Sequence, residues 1–341
     1  MRAVKLRKQD LPAFLKCVQS FGELWGPVKK NNRHILKKIE NVTQIDLTTI
    51  RTSLPFKKLL FPPQFSMYRF HENEYTMNLE DLQRRIIFGM HPCDIHALLI
   101  MDDFFSRRFN DPYYIERRKK TVIIGFSCIP DEKCFCHATE TDTVEEGFDL
   151  FLTDLDDFFL IWVGSSLGDD MTRECPKIID EGIVHDDLKK YIEWRKYRNS
   201  QFKLDVDLTS MPEIVDLSYD SMIWEEEGEK CLSCGACTIV CPTCPCYNVI
   251  DEMKLGKIEG ERVRHWDSCL FKEYSMVSGG HNFRETRAER LKLRFTHKLQ
   301  AFVGEYGKPA CVGCGRCIDT CPVDIDIATV VKRLRGEEVK V

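Results

Sequence analysis

The sequence predicts an α/β or α+β amino-terminal domain over residues 1–220, joined to a mostly α-helical, cysteine-rich domain over 221–341. Three observations carry that reading. β-branched and aromatic runs alternate with helix-period stretches in the first half. A twelve-residue cysteine pattern occurs twice in the second half. Between them, residues 205–229 hold nine acidic side chains and no Lys or Arg, the composition of a solvated connection. The length of 341 residues agrees with about two domains of roughly 150 residues each.

Taken in order, the chain opens on MRAVKLRKQDLPAFLK, whose scattered charges give no apolar core for a signal peptide. No apolar run approaches the ~20 residues of a membrane span, so a cytoplasmic location is expected. The run IIFG at 86–89, then MHPCD and a helical pattern at 94–105, reads as strand, loop and helix. TVIIGF at 121–126 reads as a second strand, followed by SCIPDEKCFC. Further strands are expected at 148–152 and 158–163, and a helix at 187–197. Strand order does not follow from these patterns. In the second half, Phe283, Leu291, Leu293, Phe295, Leu299 and Phe302 recur among charges, which predicts helix across 282–305.

Composition excludes several classes. Lys and Arg number 49 against 54 Asp and Glu, a net charge of −5, so no global positive field draws nucleic acid or anionic lipid. Basic clusters at Arg107, Arg108, Arg117, Arg118, Lys119 and Lys120, and across 284–298, are exposed faces or docking sites for acidic partners. Neither G-x-G-x-x-G after a strand nor a P-loop occurs, so no nicotinamide, flavin or ATP site is marked. No motif for a catalytic metal with an open position occurs either, and no catalytic residue is assigned.

Seventeen cysteines remain to be explained. In a reducing compartment they seldom mean disulfides, so spacing decides. CLSCGACTIVCP at 231–242 and CVGCGRCIDTCP at 311–322 both read C-x2-C-x2-C-x3-C-P. Three closely spaced thiolates wrap one [4Fe–4S] cluster, and the fourth leaves on a helix to ligate the other. Gly235, Gly313 and Gly315 supply the backbone freedom such a loop needs. The pairing is therefore Cys231, Cys234, Cys237 with Cys321 for the first cluster. Cys311, Cys314, Cys317 with Cys241 make the second. Structural zinc, which favours two C-x2-C pairs on a long spacer, suits this spacing poorly.

If the strands at 86–89 and 121–126 run parallel in one sheet, Cys93 meets Cys128, Cys134 and Cys136 beyond its carboxyl edge, where such sheets bind ligands. Four thiols there would hold a third [4Fe–4S] cluster; zinc, a redox pair or plain core packing are the alternatives. Cys244, Cys246 and Cys269 fall short of a four-ligand site and read as packing around a cluster, or as a sulfur-handling group. Cys17 and Cys175 have no cysteine neighbours in sequence and read as inert. His265 and His281 read as structural rather than as proton carriers.

The chain as a whole resembles the β subunits of cytoplasmic sulfhydrogenases, NiFe hydrogenases with sulfur reductase activity, and more distantly the electron-transfer subunits of anaerobic sulfite reductases. The matching blocks are MRAVKL, HPCDIHALLIMD, IIGFSCIPDEKCFC, TDTVEEGFDLFLTDL, EKCLSCGACTIVCPTCPCY, RHWDSC, SGGHNFR and CVGCGRCIDTCP. The resemblance implies a heterotetramer. In it a flavin-bearing γ subunit exchanges electrons with NAD(P)H, a NiFe hydrogenase δ and α pair handles H2, and β carries electrons between them. It also implies that β and γ together reduce sulfur or polysulfide to sulfide. The sulfite reductase resemblance would replace the terminal partner by a sirohaem protein. A self-contained sulfur-reducing enzyme is the remaining alternative.

Overall fold

Runs of β-branched and aromatic residues become strands, and the structure, a computed structural model, describes residues 2–79, 83–175 and 178–337. Met1, the first residue of MRAVKL, lies outside them. In chain order the strands are β1 (Arg2–Arg7), β2 (Glu23–Lys30), β3 (Arg33–Lys38), β4 (Gln64–His71), β5 (Glu74–Met77) and β6 (Arg85–Met90). They continue with β7 (Thr121–Phe126), β8 (Leu150–Asp154), β9 (Phe158–Val163), β10 (Ile179–Asp180), β11 (Tyr247–Met253) and β12 (Glu259–Trp266). Eight of them form one sheet in the order β10-β1-β9-β8-β7-β6-β2-β3. Its centre, β2, β6, β7 and β8, is parallel.

The central strands are apolar on both faces because both faces are covered. In β6, Ile86 and Phe88 enter one core and Ile87 and Met90 the other; in β7, Val122, Ile124 and Phe126 oppose Ile123. The Leu11–Val18 helix covers one face with Leu11, Phe14, Leu15 and Val18, which share one side at helical spacing. The Pro92–Ser106 helix, two residues longer at its start and one at its end than the 94–105 expected, covers the other with Ile95, Leu98, Ile100 and Met101. The helix at His185–Ser200 contains the predicted 187–197.

Four expectations need correction. Cys17 and Cys175 are not separate inert thiols; they form a disulfide across 158 residues of chain. Both lie against the same core, Cys17 on the helix that covers it and Cys175 at the end of the Ser166–Glu174 helix, a proximity only the sheet creates. The acidic stretch is not a bare solvated connection. It folds into helices Met211–Leu217 and Ile223–Lys230, whose Met211, Val215 and Trp224 are fully buried with Leu291, Phe295, Ile327 and Val331. Most of its charges face outward, but Glu227 is buried, and it and the exposed Glu226 both pair with Arg333.

The segment between the two cysteine motifs is also not wholly helical. Residues 247–266 form the hairpin β11–β12, and β12 pairs with β4 to make a four-stranded antiparallel sheet in the order β11-β12-β4-β5. This sheet takes two strands from each side of residue 220, so the place expected for a domain boundary is bridged by hydrogen-bonded strands. The fourth correction concerns the basic stretch 284–298, whose Arg290, Arg294 and Lys298 are buried rather than displayed. The helix there is Arg287–Thr296, opened by a reciprocal cap in which Thr286 Oγ1 accepts from the Glu289 amide at 3.1 Å and Glu289 accepts from the Thr286 amide at 2.8 Å.

Candidate iron–sulfur sites

Each cysteine motif makes the same local structure. A loop carries the first two cysteines, a glycine with positive φ turns the chain, and a short helix carries the third. Gly235 (φ 70°) opens Ala236–Ile239, and Gly315 (φ 73°) opens Arg316–Thr320. The two short helices pack against each other, and the fourth cysteine of each motif is thereby carried towards the other. The Cys237 thiol is acted on by those of Cys231, Cys321 and Cys241. The Cys317 thiol is acted on by those of Cys311, Cys314 and Cys241. Backbone amides donate to two of these sulfurs, Ser233 N–H to Cys231 Sγ at 3.4 Å and Ile325 N–H to Cys321 Sγ at 3.2 Å.

Burial raises the thiols of Cys237, Cys311, Cys314 and Cys317, Cys311 to about 12. Thiolates here therefore need compensating positive charge, and buried cations provide it. Arg294 lies between the motifs, held charged despite burial chiefly by Cys237 and Cys317, one thiol from each. Its Nε is buried and has no hydrogen-bond partner among the described residues, as expected of a donor facing an anionic group that the polypeptide does not itself supply. Lys298 is 4 % exposed; its Nζ donates to Thr243 Oγ1 at 2.8 Å and to the Ala310 carbonyl at 3.2 Å. Burial would push its ammonium down, but Cys241, Cys244 and Cys311 hold it up. Lys57 donates to the Cys244 carbonyl at 3.0 Å and sits 4.4 Å from the Trp266 ring, and its burial lowers it. The donor set, the buried cations and the orphaned Nε together fit negatively charged clusters.

Sequence reasoning missed these cations. Arg290, Arg294 and Lys298 repeat every fourth residue, so they share one helical side beside Leu291, Phe295 and Leu299; that period was the available signal. Lys57 gave none.

The remaining predicted thiols meet as the parallel strands require. β6 and β7 are parallel neighbours, and Cys93, in the first turn after β6, lies near Cys136, Cys314 and Cys128. Cys136 in turn neighbours Cys128 and Cys134. The second motif touches this group directly: the Phe135 amide donates to the Gly313 carbonyl at 2.9 Å, and Arg316 makes a buried two-pronged pair with Asp94 at 2.7 and 2.9 Å. Arg51 donates to Cys134 Sγ at 3.2 Å and holds Asp131 through two 2.6 Å bonds. His91 faces carbonyl oxygens with both ring nitrogens, Phe126 O at 2.7 Å and Thr49 O at 2.8 Å. Carbonyls only accept, so both nitrogens carry protons and the ring is cationic. Burial would lower its pKa, but the Cys128 thiol beside it lifts it to about 9, and the imidazolium in turn lowers Cys128. Among the described residues no three His, Cys, Asp or Glu side chains close on one point as a single-ion site does.

Cys244, Cys246 and Cys269 also come together, at the open end of the β11–β12 hairpin, where the Asp267 amide donates to the Cys246 carbonyl at 3.1 Å. The neighbouring thiols of Cys241 and Cys244 act on each other, Cys241 being lowered and Cys244 raised. Cys246 is lowered to about 6, chiefly by the neighbouring Cys269 thiol, against burial. His265 and His281 enter none of these groups. Among the described residues no helix is long and apolar enough to cross a membrane.

Residues 230–325 match the family model described as a 4Fe–4S dicluster domain. Over 335 residues, 98 % of this chain and 99 % of the relative, the sequence is 38 % identical to sulfhydrogenase 2 subunit beta of Pyrococcus furiosus.

Proposed function

The chain belongs to the sulfhydrogenase β-subunit family and is an iron–sulfur electron-transfer subunit, and from that premise we propose its ligand sets, its place among partners and its contribution to sulfur reduction. Cys231, Cys234, Cys237 and Cys321 hold one [4Fe–4S] cluster, and Cys311, Cys314, Cys317 and Cys241 hold a second. Cys93, Cys128, Cys134 and Cys136 hold a third. When bound, such clusters supply one-electron transfer. The protein's part is to bind, shield and tune: Arg294 and Lys298 offset the charge of reduction, and the amides of Ser233 and Ile325 donate to ligand sulfurs.

What supports this reading is that Cys321 of the second motif lies beside Cys237 of the first, and Cys241 of the first beside Cys311 and Cys317 of the second. The carboxyl-half domain then spans 221–341 and the α/β domain 1–220, with β4–β5 and β11–β12 bridging them. In the cytoplasm, a flavin-bearing γ subunit exchanges electrons with NAD(P)H, the NiFe δ and α subunits make or consume H2, β carries electrons between them, and β with γ reduces sulfur or polysulfide to sulfide. A chain without a nucleotide motif needs such a flavin partner, because hydride carries two electrons and a cluster takes one.

Iron and acid-labile sulfide analysis of the anaerobically purified chain tests the ligand sets. Twelve irons support three clusters, eight leave only the two motif clusters, and zinc without iron ends the reading. Cys321→Ser is expected to change the EPR signal of the first-motif cluster; loss of the other signal alone reverses the crosswise assignment. Copurification with a NiFe large subunit rather than a sirohaem protein tests the partners.

A further inference from the structure

A sheet edge without a neighbour offers a row of backbone N–H and C=O groups that another strand can take up, and proteins blunt such edges by shortness, by Lys or by Pro. Among the described residues the two sheets have four edges, and three of them are blunted. β10 has two residues, β5 has four, and β3 carries Arg33, Lys37 and Lys38. The fourth, β11, is seven residues long, YNVIDEM, with no Lys, Arg or Pro, and among the described residues no strand lies on its outer side. Its Tyr247, Ile250 and Met253 are exposed, and Leu255 in the turn beyond it is fully exposed.

The hydrogen bonds of the hairpin fix which groups point outward. The Cys246 carbonyl accepts from the Asp267 amide and the Lys254 amide donates to the Glu259 carbonyl, so the even-numbered residues of β11 turn their N–H and C=O groups to β12. Those of Tyr247, Val249, Asp251 and Met253 point off the edge. There the Val249 amide meets only the side chain of its own neighbour, donating to Asn248 Oδ1 at 2.8 Å.

We propose that this edge is an interface between two copies of the chain, in which β11 pairs antiparallel with β11 of the second copy about a two-fold axis at Ile250. Register and charge select that occupant. Pairing centred on Ile250 sets Val249 against Asp251 and Tyr247 against Met253, so all four outward residues exchange N–H and C=O groups across the axis. Asn248 falls opposite Glu252, to whose carboxylate its side-chain amide can donate. Neither acid directly faces an acid, and Asp251 is already held by two 2.7 Å bonds from Arg262. Sliding the pair one step towards the turn sets Asp251 against Asp251. Sliding it the other way sets Met253 against Pro245, which has no N–H to give. In the favoured register Leu255 at the tip of one hairpin lies alongside Pro245 of the other, and the two small sheets become one. The interface does not depend on the cluster assignments above.

Light scattering and hydrogen exchange on the full chain purified without oxygen test this, with iron measured in each sample. The variants are Val249→Pro, Ile250→Lys and, as control on the β5 edge, Tyr75→Lys. Val249→Pro deletes an outward N–H and no bond to β12, and Ile250→Lys brings two ammonium groups together on the axis. The wild type is expected at twice the mass of one chain, with slow exchange across 247–253. Val249→Pro and Ile250→Lys should each halve the mass, and Ile250→Lys should speed exchange in 247–253 while β12 stays protected and iron equals wild type. Tyr75→Lys should remain a dimer. An iron-loaded wild type of single-chain mass overturns the proposal, and so does a dimer that survives both β11 variants. Protection of 247–253 that appears only when a different subunit is bound also overturns it, in favour of that partner. An iron-free chain that still dimerises through β11 supports the interface and sinks the cluster reading instead.

Discussion

Lys298 and Asp187 show what a single charge does in this protein. Lys298 is a buried cation beside Cys241 and Cys311, so it stabilises whichever state of a neighbouring cluster is more negative, the reduced one. Lys298→Met is expected to lower the potential of the second-motif cluster. A unit charge at an effective dielectric near 20 is worth on the order of 2 kcal/mol, or roughly 100 mV. An EPR-monitored redox titration reads the shift, and an unchanged or raised potential contradicts it. Asp187 accepts from the Val184 amide and from Lys5 Nζ, both at 2.9 Å, and so ties the His185–Ser200 helix to β1. Burial pushes its carboxyl up, but those donors outweigh it and hold it below the usual range. With the folded value below the unfolded one of about 3.9, the stabilisation is full above that pH and fades as pH falls through the folded value. Asp187→Asn should therefore destabilise the chain by about 1 kcal/mol near neutrality and flatten the acid limb of its stability curve. Denaturant melts at several pH values check both.

Among the elements, the second motif loop and the Cys134–Cys136 loop meet backbone against backbone. Gly313 has φ 58°, and a Cβ there would lie 2.5 Å from the backbone of Cys136. Backbone against backbone leaves nothing flexible to move aside, so Gly313→Ala must separate the loops. The expected outcome is a lower melting temperature together with lost iron. Gly307→Ala is the control: its φ is 73°, but a Cβ there meets nothing within 4 Å, so it pays only the cost of backbone conformation, about 1 kcal/mol, and keeps its iron. Equal iron loss in both variants would refute the crowding argument.

For the whole molecule, the halves are mutually dependent. β4 has β12 as its partner on one edge, and Arg316 is buried against Asp94. Removing either half leaves an exposed strand edge and a buried charge without its counterion, the latter alone about 3–5 kcal/mol. Fragments 1–220 and 221–341 made separately are expected to aggregate or to hold no iron. A chain cleaved near residue 220 after folding should still elute as one species. Stable, iron-loaded separate fragments would show the bridge to be dispensable.

What the sequence by itself determined was local or repeated. The two C-x2-C-x2-C-x3-C-P loops, the β6 and β7 runs and the helix after Cys93 follow from short-range period and spacing, whereas the meeting of Cys93 with Cys128 and Cys136 depended on β6 and β7 being parallel neighbours. A repeated motif carries its own symmetry, which is what makes crosswise ligation by Cys241 and Cys321 an expectation readable from sequence. The tertiary structure alone decided the Cys17–Cys175 bond, the β12–β4 pairing, the burial of Trp224 within an acidic stretch, and the cations of Lys57 and Lys298 among thiols. Each joins residues far apart in the chain, and residue order does not encode which surfaces meet. A buried charge looks like a solvated one until the fold supplies the sulfurs that stabilise it.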